Sequence, residues 1–515
     1  MAGPDGRKEQ PIGGGFKSRC DFQLSSAALT TMNPLLFTDP LFLFAFAPIV
    51  LTAYHLVPWR LQNIFLLLAS IFFYAWGEGR YVIVLLLSLA INYGCGLAMA
   101  QASAPGQRRG VMLIGVASNL SLLAAFKYTG FAIANVNIIL TAFRLSPMQS
   151  PAIRLPVGIS FFTFMGISYL IDIYRHQIDA EKSPTVFGLY ITLFPHLIAG
   201  PIVRYSAIAR ELKSRHVGLE QFATGIRRFV VGLGKKLVIA NTVAVAADKV
   251  FALKGTELTT SLAWLGVMCY TLQIYYDFSG YSDMAIGLAR MFGFTFPENF
   301  NYPYVSRSIT EFWTRWHISL STWLRDYLFF PLGIRGGRLR LYGNVLIVFV
   351  LCGLWHGADW RFVIWGLFHG VFLVLERMGL TKKLAVFPWP LRHLYALIVL
   401  MVGWVFFRAD GIGHGLRFLS SMIGLAPQDA TSDIALYFTP DLVLAICIGV
   451  TGCLPVVPEI NRRINGALEA LSGRAAVVVE GIFAAARFSI VGAIFITAAA
   501  LSAAGTYNPF IYFRF

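Results

Sequence analysis

The sequence predicts an all-α polytopic membrane protein, on three observations. Hydrophobic residues make up 57% of the 515 positions and charged residues only 13%, with a mean hydropathy of +0.65; soluble domains carry about 25% charged residues. Apolar runs long enough to cross a bilayer recur along the chain with short connections between them. Lys and Arg, which give a formal net charge of +16, collect in those connections, the positive-inside distribution, which argues against nucleic acid as a partner. The six cysteines have no metal or redox spacing. Cys95, Cys269, Cys352, Cys447 and Cys453 lie in or beside apolar runs and read as small buried hydrophobes.

Residues 1–31 contain Gly, Lys and Ser but no apolar core of about 7 to 15 residues, so they form no signal peptide. They read either as a disordered tail or as a gene-model extension ahead of a start at Met32, and residues 32–515 form a single transmembrane domain. Spans are expected at residues 41–57, 61–77, 81–100, 110–126, 155–173, 186–200, 237–253, 261–279, 342–357, 361–376, 391–407, 441–455 and 484–503. Several are short for a hydrocarbon core of about 30 Å and can be re-entrant, so about eleven to thirteen crossings are expected. Arg204, Arg210, Lys213, Arg215, Arg227, Arg228, Lys235 and Lys236 form one basic block, and Arg335, Arg338 and Arg340 form another. Two spans lie between them, which puts both on the cytoplasmic side. The blocks set topology and meet membrane lipid headgroups, or they attract a phosphate-bearing donor or an acidic carrier.

Between Tyr275 and Gly370 the chain is chemically unlike membrane filler: it carries Asp277, Asp283, Glu311, Arg315, His317, Arg325, Asp326, His356, Asp359, Arg361 and His369. Ionisable groups at membrane depth are costly unless they face a cavity or a partner, so this cluster is the candidate reaction centre. Asp277 and Asp283 differ by about 240° in azimuth on an unbroken helix, too far for a carboxylate dyad. Each is expected to anchor a helix end or to pair with an arginine.

Ser308 and Glu311 read as a capping box that opens a helix. Trp313, Trp316, Leu320, Trp323 and Tyr327 then share one face of it with His317, while Arg315, Ser319 and Thr322 point elsewhere. An interfacial helix with His317 directed inward is expected, against the simpler reading of a core histidine satisfied by a carbonyl. His356 lies between Gly353 and Gly357, which suggests a break in a span that exposes the imidazole to a cavity. His369, 13 residues on, is about 220° away on a continuous helix and is expected outside that site. No HExxH or Cys/His metal spacing occurs.

The stretches LPVGISFFTFMGISYLIDIYR, LFPHLIAGPIVRY, YDFSGYSDMAIGLARMFGF, NFNYPYVSRSITEFWTRWHISLSTWLRDYLFFPLG, GLWHGADWRFVIWGLFHG, GWVFFRA and NPFIYFRF resemble the membrane-bound O-acyltransferases (MBOAT), in their bacterial alginate O-acetyltransferase branch. The resemblance runs from about residue 36 to the end. It implies a ring of membrane helices, with interfacial and re-entrant pieces, around a central tunnel that joins a cytoplasmic donor side to an extracytoplasmic acceptor side. It also implies that His356 matches the family's invariant histidine and His317 its second one. The implied activity moves an acyl group, acetyl in this branch, from acetyl-CoA or another acyl thioester towards an exported polysaccharide. The implied partner is a periplasmic SGNH-type acyltransferase, and the implied location the bacterial inner membrane, multi-pass, with no permanently bound cofactor.

The residues fit that chemistry without the name. Acyl transfer from a thioester to a hydroxyl needs a base near neutral pH, and imidazole is suited to it. His356 is expected to be that base, and His317 to orient the acceptor, stabilise the oxyanion or relay a proton. No Ser or Cys is placed as an obvious nucleophile; Cys352 is the one thiol close to His356 in sequence. The competing readings are a secondary transporter or channel, which also places His and Asp around broken helices, and a scaffold for periplasmic acetylation enzymes. No inverted repeat supports the transporter.

Overall fold

The computed structural model describes residues 35–253, 257–333, 336–425, 433–469, 474–505 and 507, and among them every regular element is helical. Residues 1–31, Arg335 and the terminal NPFIYFRF motif lie outside the described residues. Seven helices are long and apolar enough to cross a membrane, or eight if the bent pair Pro440–Gly452 and Val456–Glu469 is one span. One of the seven, Trp59–Gln101, is interrupted at Gly79, where φ is +53°, so it holds the two spans expected at 61–77 and 81–100. The expected span at 155–173 is the shorter helix Ile159–Tyr174, and the one at 186–200 divides into Pro184–Thr192 and Phe194–Leu197. The apolar helix Thr129–Ala142 has no counterpart among the expected spans.

The helix Thr260–Met291 is the hub. It runs unbroken for 32 residues and is buried along almost all of them. At about 1.5 Å per residue it is long enough to cross. It packs most closely, and antiparallel, against Leu219–Gly234. Small residues make that approach possible, as in other membrane helix pairs: a Cβ on Gly232 would lie 2.6 Å from the Gly280 carbonyl oxygen, and one on Gly287 2.7 Å from the Gly225 carbonyl oxygen. Polar groups on the hub are matched across this interface. Asp277 pairs with Lys236 at 2.5 Å, and Asp283 with Arg228 at 2.6 Å and Lys235 at 2.7 Å. The two carboxylates therefore serve separate cations, as their azimuths require. Neither anchors a helix end, because the helix continues past both.

Much of the first basic block is thus turned inward. Beyond those three cations, Arg204 meets Asp326 at 2.9 Å, Lys213 lies 3.6 Å from Glu181, and Arg215 bonds Tyr54 and Asn63. The second block meets the same region: Arg340 donates to the Leu332 carbonyl at 2.9 Å, a few residues beyond Asp326. One residue of each block, Arg204 and Arg340, thus reaches the stretch from Asp326 to Leu332. At the periphery, Arg474–Ala503 packs on Leu219–Gly234 and leaves nearly all its apolar side chains outward, as a lipid-facing helix does.

Candidate active site

Two helices, Gly337–His356 and Trp360–Leu375, form an antiparallel hairpin whose turn carries His356. Gly353 and Gly366 let them touch backbone to backbone, since a Cβ on Gly353 would overlap the Phe362 carbonyl and one on Gly366 the Phe349 carbonyl. His356 is the last residue of the first helix, Gly357 is extended, and Asp359 accepts from the Arg361 amide at 2.9 Å to cap the second helix. The expected break is present at the expected place.

A helix C-terminus leaves carbonyls without intrahelical partners, and here the neighbouring helix end supplies donors. Lys127 Nζ donates to the Trp355 carbonyl at 2.5 Å and reaches the His356 carbonyl at 3.4 Å, while Tyr128 Oη donates to the Leu354 carbonyl at 2.8 Å. The His356 ring stands edge-on to Trp355, Trp365 and Phe407, with centroids 4.9, 5.1 and 5.3 Å away. It is 4% exposed and lines a cleft with Lys127, Trp355 and the segment Leu155–Phe161.

His317 also reaches Trp355, whose ring centroid is 6.2 Å from its own. The expected continuous helix from Ser308 to Tyr327 is corrected: it is two helices, Ile309–Arg315 and Ile318–Leu324, broken at His317 with φ +42°. Ser308 does cap the first, accepting from the Glu311 amide at 3.0 Å. Glu376 holds the same start, accepting from the Ile309 and Thr310 amides at 2.7 and 2.8 Å, a favourable place for a carboxylate. The aromatic positions Trp313, Trp316, Trp323 and Tyr327 are all buried, as the spacing predicts. Ser319 is buried too, contrary to its expected outward position, because the break at His317 turns the second helix.

His317 is fully buried, with Phe278 edge-on at 4.6 Å. Its Nδ1 lies 3.0 Å from Asn299 Oδ1. Trp323 stacks on Phe164 at 3.8 Å, and Phe164 stacks on Trp355 at 5.2 Å, which ties the second helix to the His356 hairpin through Ile159–Tyr174. That 16-residue helix is about 24 Å long. One end meets the His356 cleft. At the other end Arg175, Arg204, Asp326 and Tyr327 line a second cleft. Asp326 there sits below its ordinary carboxylate value: burial works against its charge, but hydrogen bonds and charges from Arg325 and Arg204 outweigh that.

Trp365 meets both His356 and His369, with ring centroids 5.1 and 5.2 Å away. The continuous-helix premise behind the expected exclusion of His369 does not hold, since the chain turns at Gly357. Sequence reasoning did not single out Asn299, Lys127 or Tyr128. Asn299 sits in a quoted motif, but no periodicity links a residue 18 positions away to His317.

The membrane-bound O-acyltransferase family model matches residues 179–407. Over 502 residues, 93% of this chain and 100% of the relative, the sequence is 39% identical to the "Probable alginate O-acetylase AlgI" of Azotobacter vinelandii. It is 38% identical over 429 residues to the peptidoglycan O-acetyltransferase of Helicobacter pylori, covering 76% of this chain and 80% of the relative. It is 31% identical over 234 residues to the teichoic acid D-alanyltransferase of Bacillus subtilis, covering 42% of this chain and 58% of the relative.

Proposed function

The chain belongs to the membrane-bound O-acyltransferase family and is a multi-pass membrane acyltransferase, and from that premise we propose that it carries an acetyl group from a cytoplasmic thioester towards the hydroxyls of an exported polysaccharide. The relatives named for alginate and peptidoglycan O-acetylation support this acceptor class. The observation that carries the reading is that His356 and His317 both meet the Trp355 ring, with a cleft at His356 and an arginine-lined cleft at the far end of a helix about 24 Å long. A donor reaching in from the arginine end meets an acceptor from the other across less than a full bilayer core of about 30 Å.

In this reading His356 takes the proton of the attacking hydroxyl as its oxygen bonds to the thioester carbonyl. The carbon–sulfur bond then breaks, and the proton passes to the departing thiolate. No acyl-enzyme is required. The arginine end faces the cytoplasm of a bacterial inner membrane, and a periplasmic SGNH-type acyltransferase receives the acetyl group or completes the transfer. The test supplies purified full-length protein in lipid nanodiscs with acetyl-labelled coenzyme A thioester and a soluble oligosaccharide, with and without that partner. Thiol release coupled to label on the acceptor or partner is expected. An intact thioester under both conditions overturns the reading.

A further inference from the structure

The sequence left three roles open for His317: orienting the acceptor, stabilising an oxyanion, or relaying a proton. The hydrogen bonds around Asn299 separate them. Three donors converge on Asn299 Oδ1: His317 Nδ1 at 3.0 Å, Ser319 Oγ at 2.8 Å and the Ser319 backbone amide at 3.3 Å. A backbone amide can only donate, so the atom facing it is the side-chain oxygen and not the amide nitrogen. The nitrogen is engaged on its other side, donating to Ser282 Oγ at 3.1 Å. The Ser319 hydroxyl is oriented as well, because the Ile202 amide donates to its oxygen at 2.9 Å and leaves its proton for Asn299. An oxygen acceptor facing Nδ1 requires that Nδ1 carry a proton. Nε2 is buried and has no hydrogen-bond partner among the described residues, so a second proton there would be a buried donor left unsatisfied.

We propose that Asn299 is a positioning residue that holds His317 as its Nδ1–H tautomer, so that Nε2 presents a lone pair to the reaction as an acceptor. A neutral ring of that tautomer has no donor left for an oxyanion, which removes one of the three roles. His317 then accepts a hydrogen bond from a second hydroxyl of the acceptor, orienting it while the proton of the attacking hydroxyl goes to His356. The αL backbone at His317, φ 42° and ψ 54°, belongs to the same device. It breaks the helix at that residue and so brings the ring and the Ser319 amide to one side-chain oxygen, a strained conformation that the surroundings must hold.

This inference rests on the acyl-transfer reading, so wild-type thioester turnover is the reference. Its absence would sink that reading and not this one. Given wild-type turnover, Asn299→Ala is expected to lower kcat by at least about tenfold with little change in donor KM. Asn299→Asp keeps the acceptor oxygen and adds a negative charge beside Nδ1–H, which favours the imidazolium. It is expected to restore turnover at high pH and to move the acidic limb of the kcat profile upward by about one pH unit. A purely structural Asn299 would leave that limb where it is in wild type, and such a result overturns the proposal. Should the variants fail to assemble, the same question is put to wild type by 15N spectra of histidine-labelled protein, with His317→Gln assigning the signal. A protonated Nδ1 with bare Nε2 supports the assignment, and the opposite tautomer defeats it.

Discussion

His356 stands where a helix end, an aromatic wall and a cleft meet, so a change there reads chemistry more than packing. His356→Ala is expected to insert normally and to lose acyl transfer by on the order of 10² to 10⁴-fold, the contribution of a positioned proton acceptor. The control is His369, which is fully buried, with neither ring nitrogen hydrogen-bonded among the described residues, and enclosed by Trp313, Trp365 and Trp404. Gly403 leaves room for the ring, since a Cβ there would lie 2.6 Å from Nε2. His369→Ala should keep most of the transfer rate per inserted molecule. A dead His369→Ala beside an active His356→Ala would place the reaction on the wrong histidine. Both candidate histidines were legible in the sequence, because imidazole beside glycine or among tryptophans at membrane depth is hard to explain as filler. Asn299 was not, since its importance comes only from three donors that meet it in space.

At the scale of elements, the hairpin and the broken helix do different jobs. Contact at Gly353 and Gly366 sets the spacing of the two hairpin helices and hence the height of His356. Gly353→Ala places a methyl into the Phe362 carbonyl, so the helices must separate. Transfer is expected to fall at least about tenfold even in protein that still inserts, because misplacing a reacting group by about 1 Å costs up to about 10² in rate. Normal turnover from Gly353→Ala would show that the hairpin spacing does not govern the site. The broken helix is a packing element. Trp316 is 2% exposed and wedged between Phe300, Phe312 and Trp404, whereas Thr322 is half-buried and bonds its own helix backbone. Trp316→Ala should cost about 3 to 5 kcal/mol through its cavity, and Thr322→Ala under about 1 kcal/mol. Thermal stability of the detergent-solubilised variants measures this, and equal shifts would contradict the burial pattern. The spacing of Trp313 to Tyr327 identified the buried aromatic residues correctly and missed Ser319; it could not register the break, because αL geometry at one residue leaves the apolar pattern intact.

For the whole molecule, Arg204 and Arg340, one from each basic block, reach the stretch from Asp326 to Leu332, and the helix Ile159–Tyr174 runs from the Arg204–Asp326 cleft to the His356 cleft. On the proposed topology, with that end cytoplasmic, a cysteine placed at the exposed Lys213 should resist membrane-impermeant maleimide in intact cells and label once the membrane is opened. Labelling from outside would invert the topology and with it the donor side. The charge count suggested the orientation but not the use of the charges. Lys236, Lys235, Arg228 and Arg204 spend theirs on buried or half-buried carboxylates, so the block contributes less free cation than its composition suggests.

Apolar run length acts on every residue locally and made the all-α membrane class legible in the sequence; the acyltransferase assignment came from motif resemblance, and the cost of polar groups in lipid marked His356 and His317 as candidates. Tertiary packing alone placed His317 at a helix break, brought Trp355 against both imidazoles and Trp365 against His356 and His369, and joined Lys127 and Tyr128 to the His356 helix end and Asn299 to His317. These depend on glycine-permitted helix contacts and on hydrogen bonds between residues up to 229 positions apart, and no local pattern encodes which donor will meet which acceptor once the helices pack.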